Sequence, residues 1–233
     1  MKKWNGKKKA LTFSFDDGVA QDLRVIEILD KYSLKATFNL NSARLGRKGT
    51  LERNGRVVDF NMIPYDKVKS VYKNHEVAAH TLTHTMLPSV DDSTVIWQVE
   101  QDRRTLSELV GYNIECMAYP CGGQNNNDRV AGVIKENTGI KFARTITSTY
   151  NFDVQENLYR FDPSVYIIET DKLFELGRAF VDLETDTPKI FYIWGHAFEM
   201  DAEYISWEKF EEFCKLVSNK DDIYYEVNSK VLL

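Results

Sequence analysis

Apolar and polar residues alternate along this chain in segments that favour strands and helices in turn. Residues 10–15 form a short apolar run typical of a buried strand, and residues 20–32 carry apolar side chains at helical spacing. We expect further strands at residues 35–40, 76–79, 115–119 and 189–194, and further helices at residues 64–72, 91–110, 128–137, 171–183 and 207–218. Alternation of this kind over the whole length predicts an α/β fold built from parallel β/α units.

The pattern also predicts one domain. Neither an internal repeat nor a linker rich in proline or glycine interrupts it, so we expect residues 1–233 to fold as a single unit with a large core. Residues 46–61 depart from the alternation. They predict an inserted hairpin with its turn at Asn54-Gly55.

Composition excludes several classes of function. The net charge of -5 argues against a nucleic-acid partner, which calls for a basic face. The three cysteines form no disulfide framework, and no apolar run is long enough to predict a membrane span. The first residues lack the apolar stretch of a signal peptide, which favours a cytoplasmic location, or an extracellular one if a leader has been removed. The oligomeric state stays open.

Polar residues follow several of the predicted strands. Asp16 and Asp17 follow the first strand and precede Gly18, a residue that allows a sharp turn. His80 follows another strand, and His196 follows the last strong one. Because the active site of a β/α barrel lies at the carboxyl ends of its strands, we expect these groups to share one mouth.

Two histidines stand at a spacing suited to metal binding. His80 and His84 are four residues apart, which brings them to one face if the turn between them is helical. With one aspartate they supply the three ligands of a hydrolytic zinc centre. The metalloprotease pattern does not fit, because Thr81 stands where its glutamate belongs. The general base must come from elsewhere, and Asp16 is the obvious source.

Other chemistry is predicted near the same mouth. The imidazole of His196 suits a general acid, with Glu199 or Asp201 to orient it. The turn at residues 119–123 is suited to present a backbone N–H to an oxyanion. Its Cys121 is disfavoured as a nucleophile, because no histidine is near it in sequence. Trp194 is the best placed candidate for a sugar platform.

The motifs resemble a known family. Phe15-Asp16-Asp17-Gly18 and His80-Thr81-Leu82-Thr83-His84 resemble the first two motifs of the polysaccharide deacetylases, the chitooligosaccharide deacetylase-like carbohydrate esterases. The resemblance spans about residues 10–200. It implies a distorted (β/α) barrel with about seven parallel strands. It also implies a metal-dependent hydrolase that removes N- or O-acetyl groups from a sugar or oligosaccharide.

The resemblance assigns roles to single residues. It implies Asp16 as catalytic base, His196 as catalytic acid and the Cys121 N–H as oxyanion donor. It implies a metal site formed by Asp17, His80 and His84, for which Zn²⁺ is the first choice and Co²⁺ or Ni²⁺ are alternatives. We expect Tyr119, Pro120 and Trp194 to contact the substrate.

The chain also departs from the family pattern. Ala118 stands where the third motif often has an arginine that holds the base, and Cys121 replaces the usual aromatic residue. Arg144 and Arg160 are candidates to replace that arginine, and the Asp-Trp element of the fourth motif has no clear match. These departures support one alternative, a non-catalytic carbohydrate-binding relative. The lack of an export signal slightly favours a second, a metal-dependent amidohydrolase of the same architecture acting on a small non-sugar amide.

Overall fold

The computed structural model describes residues 3–233, which contain ten strands and eight α-helices joined by loops and short 3-10 turns. The strands are β1 (Lys9–Asp17), β2 (Ala36–Leu40), β3 (Thr50–Arg53), β4 (Arg56–Asp59), β5 (Glu76–Ala79), β6 (Cys116–Ala118), β7 (Phe142–Arg144), β8 (Val165–Tyr166), β9 (Lys189–His196) and β10 (Ile223–Tyr225). The helices are α1 (Asp22–Lys31), α2 (Val68–Val71), α3 (Asp92–Val110), α4 (Asp128–Asn137), α5 (Thr170–Asp182), α6 (Phe198–Asp201), α7 (Trp207–Val217) and α8 (Asn228–Leu232).

A curled parallel sheet forms the centre of the fold and confirms the predicted α/β barrel class. Its strands run in the order β7-β6-β5-β2-β1-β9-β8, and β10 pairs with the start of β1. The two end strands, β7 and β8, are not neighbours in this order, so the barrel is incomplete. A single parallel bridge between Arg144 and Phe161 lies at the open side. The strand β1 lies between β2 and β9 inside this sheet, and its carboxyl end reaches the mouth.

Alternation along β1 separates the outer core from the barrel interior. Phe13 and Phe15 point outward, where both pack edge-on against Phe210 of α7. Ser14 and Asp16 point inward, since successive side chains of a strand face opposite sides, and both accept hydrogen bonds from Asn39 of β2. The apolar positions thus bury the sheet against the helices while the intervening polar positions line the interior.

The predicted hairpin at residues 46–61 is present as β3 and β4. Its turn residues Asn54 and Gly55 both have positive φ, 52° and 69°, as a tight two-residue hairpin requires. The tip reaches α6, where the Asn54 side chain donates to the carbonyl of Ala202 (3.0 Å) and Arg56 pairs with Glu203. The hairpin is therefore fastened at its tip across the barrel mouth.

The elements that the pattern did not predict are all short. The strands β7, β8 and β10 have two or three residues each, too few for a periodicity to show. The predicted helix at 64–72 is a 3-10 turn (Tyr65–Lys67) followed by one α-turn, α2, and Pro64 is extended and lies before the first turn. No helix within residues 3–233 combines the length and the apolarity that a bilayer crossing needs.

Candidate active site

A cavity of about 500 Å³ opens at the carboxyl ends of the strands. Asp16 and Asp17 from β1, the loop after β5 and His196 from β9 all line it. Strand register explains this meeting, because Asp16 pairs with His196 across the β1–β9 ladder. The ends of separate strands thus meet at one mouth, as the sequence predicted.

The two adjacent aspartates reach the same cavity because the backbone breaks the strand alternation at the second one. Asp17 has a φ of 78°, and Gly18 follows with 70°. The left-handed conformation is tolerated by aspartate better than by most residues. At Gly18 an added Cβ would lie 2.5 Å from the Leu40 side chain, so glycine is required there. The sharp turn that was predicted from Gly18 therefore begins one residue earlier.

Asp17, His80 and His84 form a compact cluster of potential ligands. One donor atom from each lies within 4.8 Å of the others. The Oδ1 atom of Asp17 is 3.4 Å from Nε2 of His84 and 3.9 Å from Nε2 of His80. This oxygen is buried and has no hydrogen-bond partner among residues 3–233. Two imidazoles and an orphaned carboxylate oxygen fit a divalent cation.

The sequence predicted that His80 and His84 would meet if the turn between them were helical. They do approach one another, but the segment between them is not helical. Residues 80–85 form an irregular loop in which Thr81 and His84 both have a φ of 65°. The ring centroids of His80 and His84 are still 5.1 Å apart. Two left-handed residues thus achieve the proximity that a helix would have provided.

Side chains from other elements hold this loop in place. The amide of Asn41 donates to the carbonyls of His80 and Thr81. Asp102 of α3 accepts from the His80 backbone N–H (2.9 Å) and from the Ser42 hydroxyl (2.6 Å). Both Asn41 and Asp102 are buried. They help to fix the loop backbone, because Asn41 satisfies two buried carbonyls and Asp102 accepts from a His80 N–H that also donates to the Leu40 carbonyl.

The surroundings of both imidazoles lower their pKa and so keep the rings neutral. Burial, and next the neighbouring His80, lower the pKa of His84 to about 4 despite the opposing effect of Asp17. Burial also lowers the pKa of His80, against the pull of Asp16 and Asp17. The Nδ1 atom of His80 is 2.9 Å from the Ala118 carbonyl, which leaves Nε2 directed at Asp17. Neutral imidazoles at neutral pH are the form that coordinates metals.

Arg144, the last residue of β7, holds the carboxylate of Asp16. Its guanidinium donates to both carboxylate oxygens of Asp16, at 2.6 Å for Oδ1, and Asn39 donates to Oδ1 at 2.8 Å. Burial would raise the pKa of Asp16, but the charges of Arg144, His80 and His196 outweigh it and lower the pKa. Arg160, the other candidate to replace the family arginine, instead pairs with Asp128 near the surface.

Glu199 orients His196. One Glu199 oxygen lies 3.1 Å from His196 Nδ1, and the other accepts from the His196 backbone N–H at 2.9 Å. Tyr166 donates to the same carboxylate. Burial alone would lower the pKa of His196, but Glu199 and the two aspartates raise it to about 9. Asp201, the alternative from the sequence, accepts from Gln21 and Trp207 instead.

Cys121 lies at the cavity wall with a φ of 71°. Its backbone N–H donates to no group within the described residues 3–233. Its Sγ atom is 3.6 Å from Nδ1 of His84, so a histidine is near the thiol although none is near in sequence. Burial and Asp17 raise the pKa of the thiol. A protonated thiol is a poor nucleophile, which keeps the nucleophile hypothesis disfavoured.

The three residues expected at the substrate differ in their access to the cavity. Tyr119 lines it, but its hydroxyl donates to the Tyr159 carbonyl at 2.8 Å. Trp194 lines it too, with Tyr166 stacked on its ring at 4.1 Å and Arg144 at 4.5 Å from its centroid. Pro120 is buried next to Cys121.

Sequence reasoning missed the residues that support the site. The sequence does contain a signal for Asp102, because it lies in the apolar stripe of α3 that also contains Val95, Val99 and Leu106. An aspartate at such a position indicates a buried carboxylate with a specific partner. Asn39 and Asn41 give a weaker sequence signal: they are two amides around the end of β2, the strand that pairs with β1. Nothing in sequence pointed to Arg44, which lines the cavity from the loop after β2.

Comparison with known proteins gives a family and a fold. The sequence profile described as polysaccharide deacetylase matches residues 3–142. A Mycobacterium smegmatis structure described as a polysaccharide deacetylase is 17% identical, with a TM-score of 0.67 over 97% of this chain and 90% of that chain. No protein of curated function matches the sequence significantly.

Two Bacillus structures set limits to the comparison. A polysaccharide deacetylase from Bacillus cereus is 18% identical with a TM-score of 0.51, and the match covers 64% of this chain but only 44% of that one. A carbohydrate esterase family 4 pseudoenzyme from Bacillus anthracis is 14% identical, with a TM-score of 0.57 over 97% of this chain and 66% of that one. Identities this low support the fold alone.

Proposed function

Because the chain belongs to the polysaccharide deacetylase family, we propose that it is a metal-dependent hydrolase that removes acetyl groups from an N- or O-acetylated sugar or oligosaccharide. One observation carries the proposal. The donor atoms of Asp17, His80 and His84 gather within 4.8 Å of one another in the cavity that Asp16 and His196 also line. A ligand set, a carboxylate and an imidazole around one space are the parts that hydrolysis of an acetyl group needs.

Asp17, His80 and His84 would hold the cation. Zn²⁺ is our first choice for this set of two nitrogens and one oxygen, and Co²⁺ and Ni²⁺ accept the same ligands. Such an ion supplies Lewis acidity and lowers the pKa of water. The orphaned Oδ1 of Asp17 supports the assignment, since a buried carboxylate oxygen without a donor calls for a positive partner.

Asp16 is the proposed base. Arg144 and Asn39 fix its carboxylate in one orientation and keep it ionised, so it is able to accept the proton of the attacking water. The same two donors keep Asp16 from the cation cluster, which leaves Asp17 as the ligand. The division of labour between the adjacent aspartates thus follows from their different neighbours.

His196 is the proposed acid. Glu199 holds its Nδ1 side, which leaves Nε2, 4.0 Å from Asp17 Oδ2, directed into the cavity. The carboxylates around it favour the protonated ring, which is the form that donates a proton to the leaving nitrogen or oxygen. The free N–H of Cys121 is the proposed oxyanion donor. Tyr119 and Trp194, which line the cavity, are the proposed substrate contacts, whereas Pro120 is buried outside the lining and is not proposed.

The test pairs metal content with acetate release. We expect the purified protein to contain close to one equivalent of a divalent ion and to release acetate from acetylated chitooligosaccharides. A chelator should abolish the release and Zn²⁺ should restore it. Metal-loaded protein that binds these sugars tightly without turnover would indicate a non-catalytic relative. Turnover of small non-sugar amides alone would indicate an amidohydrolase of the same architecture.

A further inference from the structure

Arg44 lines the cavity from the short 3-10 turn Ser42–Arg44 that follows β2. Its guanidinium lies 5.6 Å from the Phe60 ring centroid. It pairs with no carboxylate within residues 3–233. A cation without a counter-ion thus stands at the edge of the site.

Arg53 adds a second positive charge from the hairpin. Leu51 and Arg53 line the cavity together, because alternate residues of β3 face the same side. Arg56 stands opposite Arg53 in the ladder, but its charge is paired with Glu203. Among residues 3–233, the Arg53 guanidinium donates only to the neighbouring Glu52 carbonyl. The hairpin that is fastened across the mouth therefore presents one neutralised and one unpaired arginine.

The negative groups of the cavity are already engaged elsewhere. Arg144 holds Asp16, His196 holds Glu199, and Asp17 faces the two histidines. None of them neutralises Arg44 or Arg53. In a chain with a net charge of -5, these two arginines give the lining of the cavity a local excess of unpaired positive charge.

Two aromatic rings lie between Arg44 and the proposed acid His196. Phe60 packs on Phe198 at 5.4 Å, and Phe198 packs on His196 at 5.0 Å. The row therefore runs from Arg44 through two rings to the proposed acid. An anion bound at Arg44 belongs to a part of the substrate other than the acetyl group that His196 serves.

We infer that the substrate carries an anionic substituent, a carboxylate or a phosphate, which Arg44 and Arg53 bind at the hairpin side of the cavity. This inference rests on the proposed function, since it names the class of acetylated sugar that the same site accepts. Guanidinium groups suit both anions, because their planar fork donates two parallel hydrogen bonds. The hairpin is then a specificity element, and neutral acetylated sugars are the poorer substrates.

The experiment compares matched substrates on the Zn²⁺-loaded protein. They are a carboxymethylated, acetylated chitooligosaccharide, its methyl ester and the corresponding phosphate ester. We expect kcat/KM for the two anions to exceed that for the neutral ester by about 10- to 100-fold, the range of a charged hydrogen-bonded contact. R44Q and R53Q should lower the anion-to-ester ratio towards one, and R44K should retain part of it.

R47Q is the matched control. Arg47 is exposed and outside the cavity lining, so its loss changes net charge alone and should leave the ratio at the wild-type value. Equal kcat/KM for anions and ester in the wild type would overturn the inference while acetate release upheld the proposed function. If no substrate is turned over, titration calorimetry measures whether the same anions bind to the wild type and to R44Q. Binding of the anions that weakens in R44Q keeps the subsite and removes the proposed function, whereas absence of binding removes both.

Discussion

The two halves of the candidate site are held in place by different means. Asp16 and His196 lie on paired strands, where the ladder between β1 and β9 fixes their separation. His80, His84 and Cys121 lie on loops, and the last two have left-handed backbone. In the strand half, register places the backbone, and Arg144 and Glu199 then orient the side chains of Asp16 and His196. The loop half needs buried side chains from elsewhere, Asn41 and Asp102 above all, to satisfy its backbone groups.

The two halves also differ in where the free-energy cost of the site lies. A left-handed residue other than glycine costs about 1–2 kcal/mol, and such residues persist only where their surroundings impose them. Thr81 is a β-branched residue for which that conformation is uncommon. The strand half carries its cost as electrostatics instead, in a buried pair between Asp16 and Arg144. The halves should therefore respond differently to mutation.

The largest effect is expected at Asp17, which joins the two halves. D17A should lose metal and turnover together, because it removes one of three ligands. D16N should retain metal but lose turnover by about 10²- to 10⁴-fold, the usual worth of a general base. Elemental analysis and acetate release measure both quantities. D186N, at an exposed aspartate outside the cavity, is the control. Loss of metal in D16N would show that the aspartates do not divide their roles.

Arg144 should dominate the stability of the strand half. R144M leaves the Asp16 carboxylate buried without its partner, which should cost about 3–5 kcal/mol in the free energy of unfolding. Without Arg144, burial raises the pKa of Asp16, so turnover at neutral pH should fall as well. Urea unfolding and acetate release measure these effects.

R160M is the matched comparison. Arg160 is 36% exposed and pairs with a nearly fully exposed Asp128, so its loss should cost no more than about 1 kcal/mol. Equal losses of stability in R144M and R160M would show that the buried pair does not set the stability of the strand half.

The loop half should be sensitive to Asn41. N41A removes the amide that donates to the carbonyls of His80 and Thr81, so the loop loses two buried contacts. We expect metal affinity to fall about 10- to 100-fold, as it does when groups that orient ligands are removed. Competition with a fluorescent chelator measures the affinity, and N137A on the surface of α4 is the control. Unchanged affinity in N41A would mean that the left-handed loop holds its shape unaided.

The strand half was predictable from sequence, and the loop half only in part. Alternating apolar residues before Asp16 and a buried strand before His196 suffice to place both at one mouth. The position of Arg144 was not predictable beyond its being a candidate, because β7 has only three residues and its register depends on the whole sheet. The loop contacts of Asp102 join residues far apart in sequence. Local patterns report periodicity, and they do not report which distant groups a buried carboxylate will meet.

The smallest effect is expected at Cys121, where the proposed donor belongs to the backbone. C121A keeps the N–H in place, so kcat/KM should change far less than the 10²- to 10³-fold that loss of an oxyanion donor costs. C121G removes the same thiol and also removes the steric penalty of a φ of 71°, so it should be about 1 kcal/mol more stable than C121A. Thermal unfolding and acetate release compare the two variants. A loss of turnover in C121A as large as that in D16N would mean that the thiol beside His84 takes part in the chemistry. The loop half would then supply a reacting group as well as the ligands.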